Sequence, residues 1–291
     1  MASQRRTLAG RAAHSISGGH FIRFPYSPSA RNEPRYGHGA PAHQRLARLL
    51  SQGDGEYKDV LDGFTEYAQE LRAIPLDRTD PGEPHWRNPF MFGLDGVSLY
   101  GFTRARAPRR YVEVGSGYST LFVDRARRDG AIDMEIVSID PHPRQEIDAI
   151  CDRILRQPFE CADLDVFDGL EEGDIVFLDG THHVFMNSDV VAFFLDVLPE
   201  LPPGVLVGVH DIHLPDDYRP EEAERYYSEQ YLLAAYLLGE PRWMRTVLPC
   251  WYVSHHRELG SLARSLIPQP VLQARPDSHG LIFWLQTQPR R

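Results

Sequence analysis

The 291-residue sequence predicts an α/β chain: a doubly wound, mostly parallel sheet with an antiparallel pair at one edge and a helical cap on its N-terminal side. Three observations predict it. Four short apolar runs, 111–114, 136–139, 174–178 and 205–209, are near-continuous rather than alternating, as in parallel strands buried on both faces. Loops and helical stretches separate them, the pattern of repeated strand–helix units. The first run passes directly into Gly115-Ser-Gly117, a turn that opens a helix.

In chain order, residues 1–40 are rich in Arg, Gly, Ser and Pro, lack periodicity and read as an irregular basic segment. Helical patterning begins at Pro41. Ala47, Leu49 and Leu50 make a short apolar stripe that stops at Gly53-Asp54-Gly55. A stronger helix is expected over 56–73, because Val60, Leu61, Phe64, Ala68 and Leu71 share one helical face; Pro75 ends it. These two helices make up a cap over 41–90. The segment 86–93 reads as an apolar loop that walls a pocket or packs cap onto sheet. The strand–helix domain occupies 91–291, with helices expected over 119–128, 143–155 and 188–198. The later runs 244–253 and 281–285 are expected to pair antiparallel at one edge.

Hydrophobic residues are 42% and charged residues 25%, ordinary for a globular protein. No apolar run approaches the roughly 20 residues of a membrane span, so no membrane partner is expected. Net charge is −10, but residues 1–50 carry eight Arg against one acid, Glu33, leaving −17 on the rest. An acidic body argues against a nucleic-acid partner. Cys151, Cys161 and Cys250 form no C-x-x-C pair and read as reduced thiols of a cytoplasmic protein. The N-terminus lacks the apolar core of a secretory signal. A homo-oligomer stays open.

Gly115 permits a tight turn and Gly117 a close approach of backbone to ligand. Thr120 stands where a dinucleotide fingerprint wants its third glycine, which weakens NAD as the ligand. Asp140 ends the second strand 23 residues after Gly117, where a carboxylate accepts from a ribose diol.

Glu113-Val-Gly-Ser-Gly-Tyr-Ser-Thr120, then Asp140, Asp163 and Phe177-Leu-Asp-Gly-Thr-His182, resemble class I S-adenosylmethionine-dependent methyltransferases. The nearest group has a first motif E-[IV]-G-S-G-[FY]-S-T, and the resemblance spans roughly residues 88–240, reaching Ser228-Glu-Gln-Tyr-Leu-Leu233. It implies a Rossmann-like sheet and an S-adenosyl-L-methionine site. Glu113, Gly115, Ser116, Gly117, Tyr118, Ser119 and Thr120 would lie around the methionine part, Asp140 on the ribose, Asp163 near the adenine amino group and Asp179 at the mouth. An acidic pocket suits a sulfonium cation.

Asp179, His182 and His183 follow the third long run; His210, Asp211 and His213 follow the fourth. Ligands of open α/β sheets bind beyond such strand ends. Three readings stay open. Asp179, His210 and Asp211 hold Mg²⁺ or another divalent cation that lowers the pKa of an acceptor hydroxyl, with His182 as base. Alternatively one His is the base without metal, oriented by the Asp residues. In the blandest reading these side chains only cap loops. At Asp179-x-x-His182 the chain also resembles metal-dependent O-methyltransferases of macrolide sugars, which implies Asp179 as ligand and His182 as base; where those carry an acidic pair, this chain has His210-Asp211.

Tyr218, Tyr226, Tyr227, Tyr231 and Tyr236 follow, and 211–218 reads as a polar, Pro-bearing lid. A buried helix is expected over 231–238, with Glu229 and Gln230 at its start facing the pocket. The expected function is methylation of a small-molecule hydroxyl in secondary metabolism. Two rivals remain: a metal-dependent hydrolase using His182-His183 and His210-x-x-His213, and a non-catalytic S-adenosylmethionine binder.

Overall fold

The structure, a computed structural model, describes Tyr26 and residues 33–91, 93–274 and 279–290. Most of the basic segment expected at 1–40 therefore lies outside the described residues, as does Phe92. Pro34–Arg291 form one compact unit.

Seven strands make one sheet: β1 (Arg110–Val114), β2 (Glu135–Ile139), β3 (Arg153–Leu155), β4 (Ile175–Leu178), β5 (Leu206–Val209), β6 (Met244–Pro249) and β7 (Phe283–Thr287). Their order is β3-β2-β1-β4-β5-β7-β6. β3, β2, β1, β4 and β5 are mutually parallel, while β7 runs antiparallel to both β5 and β6. The antiparallel strand thus lies one in from the edge.

The sheet is covered on both faces, which is why its strands read as continuous apolar runs. Tyr111, Ile136, Ile175, Phe177, Leu206 and Trp284 pack into one core with Tyr57, Leu61, Phe64, Trp86 and Phe122. Their neighbours Val112, Val137, Val176, Val207 and Leu285 face the other core, with Leu46, Leu50, Val190, Phe193 and Leu233. The helices Gln44–Ser51 and Asp54–Phe64 therefore bury their apolar sides against opposite faces. Gln44–Ser51 does so through Leu46 and Leu50 rather than Ala47 and Leu49.

Several expectations are corrected. The stretch 143–155 is not a helix: it is turns leading into β3, which pairs with β2 from Val137↔Arg153 to Ile139↔Leu155. Pro141 and Pro143 restrict its entry, and three half-exposed residues leave little alternation to read. The run 244–253 divides, with β6 ending at Pro249 and a short helix, Cys250–His255, following. The helix Leu94–Arg106, absent from the sequence reading, is buried from Leu94 to Thr103 and so has no apolar stripe. The helix expected over 231–238 runs Glu229–Leu238 and is half-exposed: Tyr231 is 49% exposed. The segment 211–218 is no open lid, since Ile212, His213, Leu214 and Tyr218 are buried. No helix of the described residues is long and apolar enough to cross a membrane.

Candidate functional site

A pocket opens at the carboxyl ends of β1, β2 and β4. Gly115, Ser116, Gly117, Tyr118, Ser119, Asp140 and Asp179 line it, with Phe90, Arg144 and Phe159 opposite. The turn after β1 is shaped by backbone. Gly115 has φ +80°, and a Cβ there would stand 1.8 Å from the Asp179 carbonyl oxygen. Asp140 ties the strand ends together: its carboxylate accepts from the Ser116 N–H at 2.7 Å and from the His142 N–H at 2.7 Å. Ser116 and Ser138 hydroxyls share a hydrogen bond of 2.8 Å beneath them.

Glu113 and Thr120 do not line the pocket. Glu113 lies under the loop, accepting from the Tyr111 hydroxyl at 3.0 Å and from the Thr120 hydroxyl at 2.5 Å. The Thr120 hydroxyl in turn accepts from the Gly117 N–H at 3.0 Å. The motif's glutamate and threonine are therefore a strut that holds the glycine turn from inside. Burial raises the Glu113 carboxyl to about 7 from 4.5, against hydrogen bonds from Ser119, Thr120 and Tyr111 that lower it. Between these values the folded state holds a proton that the unfolded state has released, so this group's stabilisation falls as pH rises through the window. Glu113→Gln mimics the protonated form. Its Tm is expected to decline less than wild type between pH 5 and pH 8 in calorimetry; parallel declines refute the strut's titration.

Asp163 is not among the residues that line the pocket. It is exposed and caps the turn Leu164–Phe167, while Pro158, Phe159 and Glu160 form the wall at that side. Asp189, which the sequence reading missed, is buried in the pocket lining and accepts from the Thr181 N–H and hydroxyl, both at 2.6 Å. It fixes the turn after β4, where a Cβ on Gly180 would meet it at 2.2 Å.

Asp179 joins this pocket to a buried cluster of imidazoles and carboxylates. His182 Nε2 lies 3.4 Å from Asp179 Oδ1 and 3.4 Å from Asp211 Oδ2; its Nδ1 lies 2.8 Å from Glu229 Oε2. His210 Nδ1 lies 3.2 Å from Asp179 and 3.6 Å from Asp211, and its Nε2 3.7 Å from Asp95. His182 and Asp211 have φ +62° and +55°, left-handed conformations that non-glycine residues hold only when their surroundings impose them. His213 stands apart, 3.4 Å from Glu222, and burial lowers it to about 3.

Burial alone would lower both site histidines. For His182, hydrogen bonds to Asp179 and Glu229 and the charge of Asp211 outweigh it and raise the ring well above 6.5. For His210, the charges of Asp179 and Asp211 do the same. Asp179 is largely but not fully buried, and the charge of His210 and the hydrogen bond with His182 hold it well below the usual carboxylate range. Burial raises Asp95 and Glu229.

The sequence-predicted ligands Asp179, His210 and Asp211 do come together, but not as a metal centre. Their carboxylate oxygens face imidazole nitrogens. Among the described residues no three His, Cys, Asp or Glu side chains are arranged to hold an ion. Placed in pairs with one another, these groups do not converge on a point where a divalent cation would fit.

Residues 112–212 match the model of a family described as a methyltransferase domain. No curated protein matches the chain. Among solved structures, similarity extends to the O-methyltransferase TomG from Streptomyces achromogenes, involved in tomaymycin synthesis, in complex with SAM. The identity is 15% over 85% of this chain and 99% of that one, with a TM-score of 0.33. An O-methyltransferase from Bacillus cereus in complex with SAH gives 14%, 84%, 96% and 0.37. The SAH-bound Podospora anserina methyltransferase PaMTH1 gives 16%, 87%, 100% and 0.41. Residues 112–212 are therefore similar to a methyltransferase domain, in line with the class I resemblance carried by the first-strand motif.

Proposed function

We propose that the protein transfers a methyl group from S-adenosylmethionine to a hydroxyl of a small-molecule acceptor, with His182 as general base. The observation that carries this reading is the seat of His182 Nε2, 3.4 Å from Asp179, a residue of the pocket wall. When bound, the cofactor supplies an electrophilic methyl carbon, which the acceptor oxygen attacks in line as the carbon–sulfur bond breaks.

The chain's own groups do the rest. Gly115 and Gly117 leave room for the cofactor beside the backbone, and Asp140 offers its carboxylate to the ribose. Asp179 puts negative charge beside the sulfonium and the imidazole alike. His182 Nε2 takes the acceptor's proton, and His210 keeps Asp179 ionised. A thiol acceptor would need no such base, so the histidine favours oxygen. The hydrolase reading needs a metal centre that this cluster does not form. The free thiols Cys151, Cys161 and Cys250 suit a cytoplasmic setting.

Calorimetric titration of the full chain with S-adenosylmethionine and S-adenosylhomocysteine tests the cofactor, and transfer of labelled methyl to a panel of hydroxylated small molecules tests the reaction. Heat with both ligands and label on an acceptor oxygen are expected. No heat with either, across buffers, overturns the reading; heat without transfer to any acceptor points to a non-catalytic binder.

A further inference from the structure

We propose that Glu229 is the positioning residue of the site: it grips Nδ1 of His182 and so directs Nε2 at Asp179, a residue of the pocket wall. This rests on His182 being the base. Glu229 opens the helix Glu229–Leu238, 47 residues downstream of His182, and its side chain is 0% exposed. The acidic group is not there for solubility, nor to cap the helix. Its Oε2 lies 2.8 Å from His182 Nδ1, while its Oε1 is buried with no hydrogen-bond partner. A buried carboxylate left half-satisfied costs stability. The imidazole is the one hydrogen-bond partner its side chain has among the described residues.

The backbone is tied at the same place. The Ser228 and Glu229 N–H groups both donate to the His182 carbonyl, at 2.8 and 3.2 Å, and the Val184 N–H donates to the Ser228 hydroxyl at 2.8 Å. The Tyr227 ring lies 4.6 Å from the imidazole. The helix start and the residue before its cap thus meet His182 at its carbonyl and its ring nitrogen, with the tilted Tyr227 ring beside the imidazole. Those contacts hold the residue at φ +62°. Asp95 makes a weaker pairing with His210: the gap is 3.7 Å, and its Oδ1 serves the Leu281 and Ile282 N–H groups at 2.7 and 2.9 Å. That carboxylate fastens the chain before β7.

In the reaction, the acceptor O–H proton passes to Nε2 as the oxygen–methyl bond forms and the carbon–sulfur bond breaks. Nδ1 keeps its own proton throughout, hydrogen-bonded to Glu229, so once Nε2 has given up its proton the ring presents a lone pair there, and it is a stabilised cation after the transfer. Without that hold, the ring is free to turn or to carry its neutral-state proton on the wrong nitrogen.

Three substitutions separate geometry from charge. E229A removes the grip, E229Q keeps the length and an accepting oxygen without charge, and E229D keeps the charge but withdraws the oxygen by about one bond. Proton NMR of the full chain with ¹⁵N-labelled histidine, assigned by H182A, reads the grip without any acceptor. A downfield Nδ1–H resonance of His182 is expected in wild type and E229Q, and is expected to vanish in E229A. With the acceptor found by the methyl-transfer panel, E229A is expected to lose kcat by about 100-fold with KM unchanged, E229Q to recover most of it, and E229D little. The resonance surviving in E229A overturns the proposal, as does wild-type kcat in E229A. Equal losses in all three variants with a matching fall in Tm reduce Glu229 to a structural role. An intact Nδ1–H resonance with no heat from either cofactor form fails the functional reading while leaving the grip in place.

Discussion

His182→Ala is expected to cut kcat by about 100- to 10,000-fold while leaving S-adenosylmethionine affinity within a few-fold of wild type. The two quantities separate because in the proposed site the glycine turn and Asp140, which do not touch the imidazole, hold most of the cofactor, and Asp179 stays in place. Asp179 and Asp211 keep His210 in this variant, while Glu229 loses its partner; burial already raises that carboxyl, so it takes up a proton rather than unfolding the site. Calorimetry measures the affinity, Tm the folding and methyl transfer the turnover of the variant, and undiminished turnover removes His182 from the mechanism.

The pH dependence of the same residue has a defined sign. Burial pushes the His182 ring down, but Asp179, Glu229 and Asp211 raise it well above 6.5, so in the empty site it is an imidazolium at neutral pH. A base must be neutral to act, hence kcat/KM is expected to climb with pH, by up to tenfold per unit, until the ring is deprotonated. The sulfonium opposes the imidazolium next to Asp179. The limb in kcat, which reports the loaded site, is therefore expected at lower pH than the limb in kcat/KM. A pH-independent kcat/KM from pH 6 to 9 contradicts this assignment.

What the sequence revealed and what it hid divide on physical lines. β1, β2, β4 and β5 were legible because both faces of each are covered, which forces unbroken apolar runs such as Ile175–Leu178. β3 was not: three residues at an edge bury too little to leave a pattern. Leu94–Arg106 was hidden by the opposite excess, being buried all round. In the site, Gly115, Asp140, Asp179, His182, His210 and Asp211 stood out because a parallel sheet brings its strand ends to one rim. Of the groups that contact the two histidines, Asp95 did not stand out, and Glu229 was expected to face the pocket but not to pair with His182. Asp95 comes from a helix before the sheet and Glu229 from one after it, and neither stands at a strand end. The significance of Glu229 rests on a 2.8 Å contact that only the folded chain creates. Glu113 shows the converse: its place in the motif suggested ligand contact, while its burial makes it the strut under the turn.

Gly115→Ala is the second substitution with a large expected effect. At φ +80° an alanine is strained in itself, by about 1–3 kcal/mol. Its Cβ would also stand 1.8 Å from the carbonyl oxygen of Asp179, which is backbone and cannot rotate away. That backbone is pinned, since the Asp179 N–H donates to the Val114 carbonyl at 2.8 Å and the Gly115 N–H to the Ile139 carbonyl at 3.0 Å. Relief requires β1 and β4 to part at their carboxyl ends, where the pocket opens and the proposed cofactor would sit, so stability and binding are expected to fall together. A drop in Tm of about 5–10 °C and loss of cofactor heat are expected. Gly117→Ala provides the contrast. Its nearest neighbour would be Arg144 Cβ at 3.3 Å, a contact that a small shift relieves, so only the strain of an alanine at φ +157° remains; its Tm is expected to fall by less than that of Gly115→Ala while the added methyl obstructs the ligand's approach. If both variants lost Tm equally, Gly117 would be part of the fold and not of the binding surface. If Gly115→Ala kept both its Tm and its cofactor heat, the turn after β1 would not be what couples the two strand ends.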